Sequence, residues 1–268
     1  MFSKDQLDRY ARHIILPGVG AAGQKRLMDS KVLVVGAGGL GSPVLLYLAA
    51  AGVGTLGLVD DDVVNLSNLQ RQVVHGVKRL GERKTASAQA RVNDLNSEVE
   101  VRLHEKKVSK ENAFDILKNY DLIVDGSDNF PTRYLVNDAC VLLGKPLVYG
   151  AMSQFEGQVS LLHTETKDTL GPCYRCLYPE PPQPGTVRSC AEAGVFGALP
   201  GVIGSLMATE AIKHLIGLGE TLAGTLLHFD ALYSEFRRVK LVRNAACAVC
   251  GDAPSIRELV DYEAFCEV

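Results

Sequence analysis

Three groups of residues have the types and spacing of chemistry. The first is Gly36-x-Gly38-x-x-Gly41, with Gly39 inside it. Small residues at that spacing let a backbone approach phosphate, and where the turn opens a helix its free amides point donors at an anion. Asp60 lies 24 positions after Gly36, the interval at which an acid accepts from ribose hydroxyls. Alone, this set points to NAD or FAD. The segments Asn65-Leu66-Ser67-Asn68-Leu69-Gln70-Arg71-Gln72 and Gly81-Glu82-Arg83-Lys84 argue instead for a triphosphate, because charge builds on a departing pyrophosphate and fixed cations stabilise it. The bland reading makes Arg71 and Lys84 solvated surface charges. In Asp125-Gly126-Ser127-Asp128-Asn129, Asp128 is either a Mg²⁺ carboxylate facing phosphate oxygens or an Asx turn or cap ahead of Pro131.

The second group is a pair of C-x₂-C knuckles, Cys173 with Cys176 and Cys247 with Cys250. Four thiolates in that arrangement suit a closed, structural Zn²⁺ site tying a mid-chain loop to the C-terminal region. Disulfide or redox readings are disfavoured because structural disulfides are rare in a cytosolic chain. The third is Cys190, two positions after Arg188, where exposure and positive charge would favour a reactive thiolate. A plain loop cysteine fits Cys190 equally well. Cys140 and Cys266 carry no visible chemistry.

To bring these groups together the chain must alternate strands and helices. Lys31–Val35 and Thr55–Val59 are apolar runs of strand length, and Ser42–Ala51, with Pro43 in its first turn and Gly52 as a cap, reads as the helix between them. Strands with no polar alternation belong to a sheet buried on both faces. The rhythm continues with a helix at 86–95, strand 99–103, helix 111–118, strand 121–125, helix 133–143 and strand 147–149. An α/β, Rossmann-like doubly wound sheet follows. Strands at 158–163, 226–229 and 236–242 without regular helices between them predict an antiparallel C-terminal extension, so the sheet is mixed. Helices are expected at 3–14, opened by Ser3 and Gln6 in capping-box spacing, and at 201–216. Pro179, Pro181, Pro182 and Pro184 exclude regular structure from 178–189, which is expected to be a mobile loop.

The 268 residues fit one large α/β domain, 1–268. With 28 Lys plus Arg against 31 Asp plus Glu, no polyanion-binding bias or disorder is indicated, so neither nucleic acid nor membrane is an expected partner. The 28 charge-free positions 32–59 are long enough to span a bilayer, but seven of them are glycine and a buried strand-turn-helix-strand fits better. The N-terminus carries no secretory pattern, and a cytoplasmic location is expected.

Taken together, Arg9-Tyr10-x-Arg12, the Gly36–Gly41 turn, Asp60, Ser67–Gln72, Lys84, Asp125-x-x-Asp128-Asn129, Glu156-Gly157-Gln158, both knuckles and Cys190-x-Glu192-Ala193-Gly194-Val195 resemble the MoeB/ThiF family. These are relatives of the ubiquitin-activating enzymes, adenylyltransferases that activate ubiquitin-like sulfur-carrier proteins. The resemblance covers nearly the whole chain and implies ATP with Mg²⁺, plus Zn²⁺ on the knuckles. It implies that the glycine turn (Gly36, Gly38, Gly39, Gly41) approaches ATP and that Asp60 holds the ribose. Asn68, Arg71, Gln72 and Lys84 would grip the nucleotide, and Asp128 would bind Mg²⁺. Arg12 would come from the second subunit of a homodimer, and Cys190 would bond covalently to the carrier in some relatives. The implied partner is a small carrier of the MoaD, ThiS or TtuB type ending in Gly-Gly, with a cysteine desulfurase or sulfurtransferase as sulfur source. Molybdenum-cofactor, thiamine and tRNA-thiolation pathways all use such activators. Two other readings are a tRNA-modifying dehydratase of similar fold and an NAD-dependent oxidoreductase.

Overall fold

A computed structural model describes residues 2–164, 170–183, 193–260 and 262. The central strands β1 (Lys31–Val35), β2 (Thr55–Val59), β4 (Leu122–Asp125) and β5 (Leu147–Ser153) are apolar on both faces because both faces are covered. Val32 and Val34 enter one core with α3 (Gly41–Ala51) and α8 (Leu199–Ile216). Leu33 and Val35 enter the opposite core with α5 (Ala113–Leu117) and α6 (Phe130–Leu143).

With β3 (Glu100–His104), β6 (Glu156–Leu162), β7 (Thr225–Asp230) and β8 (Glu235–Lys240), the strands form one eight-stranded sheet ordered β3-β2-β1-β4-β5-β6-β7-β8. Pairings from β3 through β5 are parallel, and those from β5 to β8 are antiparallel. The expected mixed, doubly wound sheet is therefore present. After β1 the chain winds outward to β3 and then returns to place β4 on the other side of β1. The loops after β1 and β4 diverge there and open a crevice at the carboxyl ends of the strands.

Helix α1 (Lys4–Ile14) begins with the expected capping box of Ser3 and Gln6, and Gly52 closes α3 in the left-handed conformation. Helix α4 spans Lys84–Leu95, two residues more than expected at its start. Strand β5 continues four residues past the expected Tyr149, because β6 pairs with it through Ser153. Two helices lack a sequence signal. Helix α2 (Gly20–Asp29) carries two glycines and no side-chain cap, while α7 (Tyr174–Leu177) is a single turn.

The turn α7 is bolted to α6 rather than sustained by its own length. Arg175 forms paired bonds to the fully buried Asp138, Nε to Oδ1 at 2.9 Å and Nη2 to Oδ2 at 2.9 Å, with Tyr262 donating to the same carboxylate. The Asn137 side-chain oxygen accepts from the Tyr174 amide. Residues 178–183 have no regular structure; the rest of the proline-rich loop, 184–189, lies outside the described residues. The charge-free stretch 32–59 is β1, the glycine turn, α3 and β2, and no helix is long and apolar enough to cross a membrane.

Candidate functional site: a cleft at the switch point

The crevice at the sheet's switch point is a cleft of about 340 Å³, within the ordinary range for a small-molecule site. Its floor is the turn after β1. Gly36 adopts φ +89° and Gly41 lies so close behind it that a Cβ there would stand 1.9 Å from the Gly36 carbonyl oxygen. The turn is thus tight because two positions admit only glycine. Gly38 and Gly39 line the cleft, and a Cβ on Gly38 would meet nothing nearer than Gln72 Nε2 at 3.6 Å. Backbone at that point is bare toward the cavity. Gly41, expected at the nucleotide, is instead buried behind the wall and shapes it.

Ala37, at the tip of the turn, is clamped from both sides. Its N–H donates to Asp60 Oδ2 at 2.8 Å, and its carbonyl accepts from His75 Nε2 at 2.9 Å. His75 Nδ1 lies 2.9 Å from Ser87 Oγ; a carbonyl only accepts, so Nε2 carries the proton and Nδ1 accepts from the serine. Burial lowers the His75 pKa, favouring this neutral form. Asp60 lines the cleft with its other oxygen accepting from the Asp62 amide at 2.9 Å. Burial raises its pKa against the opposing pull of Lys84. Each carboxylate oxygen has capacity for a further donor such as a hydroxyl.

The cations of the wall differ in exposure. Lys84 is buried to 6% exposure and ion-pairs with Asp62 at 2.7 Å; Arg71 is half-buried and donates to the Ser67 carbonyl at 3.2 Å. Both line the cleft, and Lys84 is buried there rather than solvated on the surface. Lys106 and Lys107, after β3, join the same wall. Asn68 does not: its side chain caps its own short turn by accepting from the Asn65 amide, and it is absent from the lining.

Asp128 is exposed on the opposite wall. The competing structural jobs are taken by its neighbours. Asn129 caps α6 by accepting from the Thr132 amide at 3.0 Å, and Asp125 makes the turn by accepting from the Ser127 amide at 2.9 Å. Three buried polar atoms among the described residues lack a hydrogen-bond partner: Gln72 Oε1, Ser127 Oγ and Arg133 Nε. All three residues line this cleft. Unpaired buried polar atoms are uncommon in folded proteins, and their gathering in one wall marks it as a site for a polar ligand. Ser127, Arg133, Lys106, Lys107 and His75 carry no motif of their own, although Arg133 follows Asp125 by one turn of loop and the first turn of α6.

Arg12 is exposed on α1 and does not line the cleft. Cys190 lies outside the described residues, as does Cys266. Cys140 is buried in α6, and burial raises its pKa, which makes it an inert core thiol.

The four knuckle sulfurs converge within 4.8 Å of one another, with Cys173–Cys247 at 3.6 Å and Cys176–Cys250 at 3.4 Å. Disulfide bonding requires about 2.05 Å, whereas tetrahedral zinc with ~2.3 Å bonds separates its sulfurs by about 3.8 Å. The cluster fits a metal of that size. The Asn244 amide donates to Cys176 Sγ at 3.3 Å, a bond that steadies a thiolate ligand.

The sequence and the fold have known counterparts. The chain is 59% identical over 266 residues to a sulfur carrier protein adenylyltransferase of Thermus thermophilus, covering 99% of this chain and 98% of that one. It is 54% identical to the probable adenylyltransferase/sulfurtransferase MoeZ of Mycobacterium tuberculosis and 51% identical to the adenylyltransferase and sulfurtransferase MOCS3 of Mus musculus. These alignments cover 99% and 98% of this chain, which spans 66% and 57% of those relatives. Among solved structures, E. coli MccB with AMPCPP and MccA shares the fold, with a TM-score of 0.81 at 22% identity over 94% of this chain and 75% of that one. The ThiF family model matches residues 10–249; the chain belongs to the ThiF family.

Proposed function

We propose that this chain is an ATP-dependent adenylyltransferase that activates the C-terminal glycine carboxylate of a ubiquitin-like sulfur-carrier protein. The observation that carries this reading is one cleft holding a bare glycine turn, two inward cations, Arg71 and Lys84, and an unengaged carboxylate, Asp128. The Thermus relative, similar along nearly its whole length, supplies the carrier class. A simple dinucleotide site would not need the buried Lys84.

The carrier's carboxylate attacks the α-phosphorus of ATP; the bond to the bridging oxygen breaks, and pyrophosphate leaves, giving an acyl-adenylate ready for sulfur transfer. The chain contributes position and charge rather than covalent chemistry. Glycine-turn amides face the phosphates, Asp60 takes ribose hydroxyls, and Arg71 and Lys84 neutralise the departing pyrophosphate. Asp128 would hold a Mg²⁺ bound with ATP, and the ion would supply charge neutralisation on the phosphates. Arg12, distant from its own cleft, serves the cleft of a second copy, making a homodimer with two composite sites. Cys173, Cys176, Cys247 and Cys250 would hold a structural Zn²⁺. Residues 1–268 act as one adenylation unit, and the loop segment 178–183 flanks the path of the carrier tail.

Carrier-dependent exchange of labelled pyrophosphate into ATP tests the proposal. The native protein with a Gly-Gly carrier should support exchange, and Asp128→Ala should lower it by about 10³-fold or more while the melting curve is unchanged. Tighter binding of NAD than of ATP, or exchange retained by Asp128→Ala, would refute it.

A further inference from the structure

Among the described residues, the Asp128 carboxylate makes no hydrogen bond or ion pair. Its placement is therefore set entirely by the backbone of the turn that carries it. Other bonds hold the rest of that turn: Gly126 N–H to the Val35 carbonyl of β1 at 2.9 Å, Ser127 N–H to Asp125 at 2.9 Å, and Thr132 N–H to Asn129 at 3.0 Å. The peptide joining Ser127 to Asp128 has a different anchor. Its carbonyl accepts from Arg133 Nη2 at 3.1 Å.

Arg133 is unusual for an arginine. It is only 8% exposed and lies over the Phe130 ring at 5.6 Å. Burial works against its charge, and the fully buried Asp125 carboxyl beside it works in favour of it. A buried guanidinium is costly unless its charge and donors are engaged. Here one of those donors is engaged by the carbonyl next to Asp128, and Nε has no partner. Surrounding rings leave the head group little freedom, so the carbonyl it holds is fixed to the core of the sheet's second face.

We propose that Arg133 is the positioning residue for Asp128: by holding the Ser127 carbonyl, it fixes the peptide that aims the Asp128 carboxylate at the metal-bearing face of the nucleotide. This rests on the reading of Asp128 given above. Arg133 itself need not touch substrate. Its removal should therefore weaken the coupling between metal and nucleotide more than nucleotide binding itself.

The test is calorimetric titration with α,β-methylene ATP, with Mg²⁺ and with a chelator, on the native protein, Asp128→Asn, Arg133→Lys and Arg133→Met. In the native protein Mg²⁺ tightens the analogue, and in Asp128→Asn that gain disappears. Arg133→Met should lose at least about fivefold of the Mg²⁺ gain beyond whatever its metal-free affinity loses, with Arg133→Lys between. Because Arg133→Met strands the buried Asp125 charge, the neutral pair Asp125→Asn/Arg133→Met is measured beside it and should show the same loss. A folded Arg133→Met or double variant with the native Mg²⁺ gain overturns the positioning role. So does an equal fall in metal-free and metal-bound affinity, which is the mark of general loosening. If Asp128→Asn keeps the Mg²⁺ gain, the reading of Asp128 itself falls, and the role of Arg133 with it.

Discussion

At Ala37 the backbone N–H and carbonyl are held from opposite sides by Asp60 and His75, so the nucleotide turn is preorganised rather than merely flexible. Preorganised donors need no reorientation when charge develops, which is why such turns serve electrostatic catalysis. The glycines of the turn have separable jobs. Gly41→Ala forces a Cβ against the Gly36 carbonyl and should destabilise the fold by about 1–3 kcal/mol, measured by chemical denaturation. Gly38→Ala meets only a side-chain amide at 3.6 Å. It should leave stability unchanged while weakening ATP binding about tenfold or more in a calorimetric titration. Equal effects of both changes on stability would contradict this division. The motif made all of these glycines look equivalent; only the backbone path distinguishes the one that faces the cavity from the one behind it.

At the scale of elements, the four-cysteine cluster and the Arg175–Asp138 pair act on the same short helix. Cys173 precedes α7, Cys176 lies within it, and Arg175 fixes it to α6. A four-residue helix has too few internal bonds to persist alone, so its geometry depends on these attachments. Purified protein should contain about one zinc per chain, and Cys250→Ser or strong chelation should release it and lower the melting temperature by several degrees. Metal-free protein with an unchanged melting curve would remove the structural role. The knuckle spacing pointed to this cluster even across the intervening 70 residues. Helix α7 itself left no pattern, because its stability comes from a buried ion pair and not from periodicity.

For the whole molecule, Arg12 lies on the outside of α1 while its expected work is at a nucleotide. Mixing the inactive Arg12→Ala and Asp128→Ala proteins should therefore restore exchange activity, to at most about a quarter of native. Half of the random dimers are mixed, and each mixed dimer has one intact site. No recovery after verified subunit exchange would dismiss the composite site. Acid stability is also a property of the whole fold. His75, His104, His163 and His214 all have pKa values lowered by burial from the ordinary 6.5. The unfolded chain binds protons at these positions more readily than the folded one. Their contribution to stability is thus complete above about pH 6.5 and declines as pH falls from there toward the lowered folded values. The melting temperature should drop between pH 6.5 and 5, with proton uptake on unfolding; a flat profile in that interval would show that these imidazoles do not govern it.

The local order of the chain and the kind of chemistry were legible in the residues. Apolar runs without polar alternation marked a doubly covered sheet, and glycine spacing, Lys84, Asp128 and the paired cysteines named residues that the structure gathers in one cleft and one four-cysteine cluster. Each of those signals is local, carried by residue types and spacing within one turn, strand or knuckle. What only the tertiary structure decided was how separate segments share a space. The reversal of strand order between β1 and β4 brings Ser127 and Arg133 to a cleft that Lys106 and Lys107, after β3, line from the other side, while His75, after β2, bonds the glycine turn at Ala37. The local backbone leaves Asn68 facing its own short turn and Gly41 behind the wall. A one-dimensional pattern cannot encode burial against a distant strand, and burial is what separates a solvated lysine from one that neutralises a phosphate.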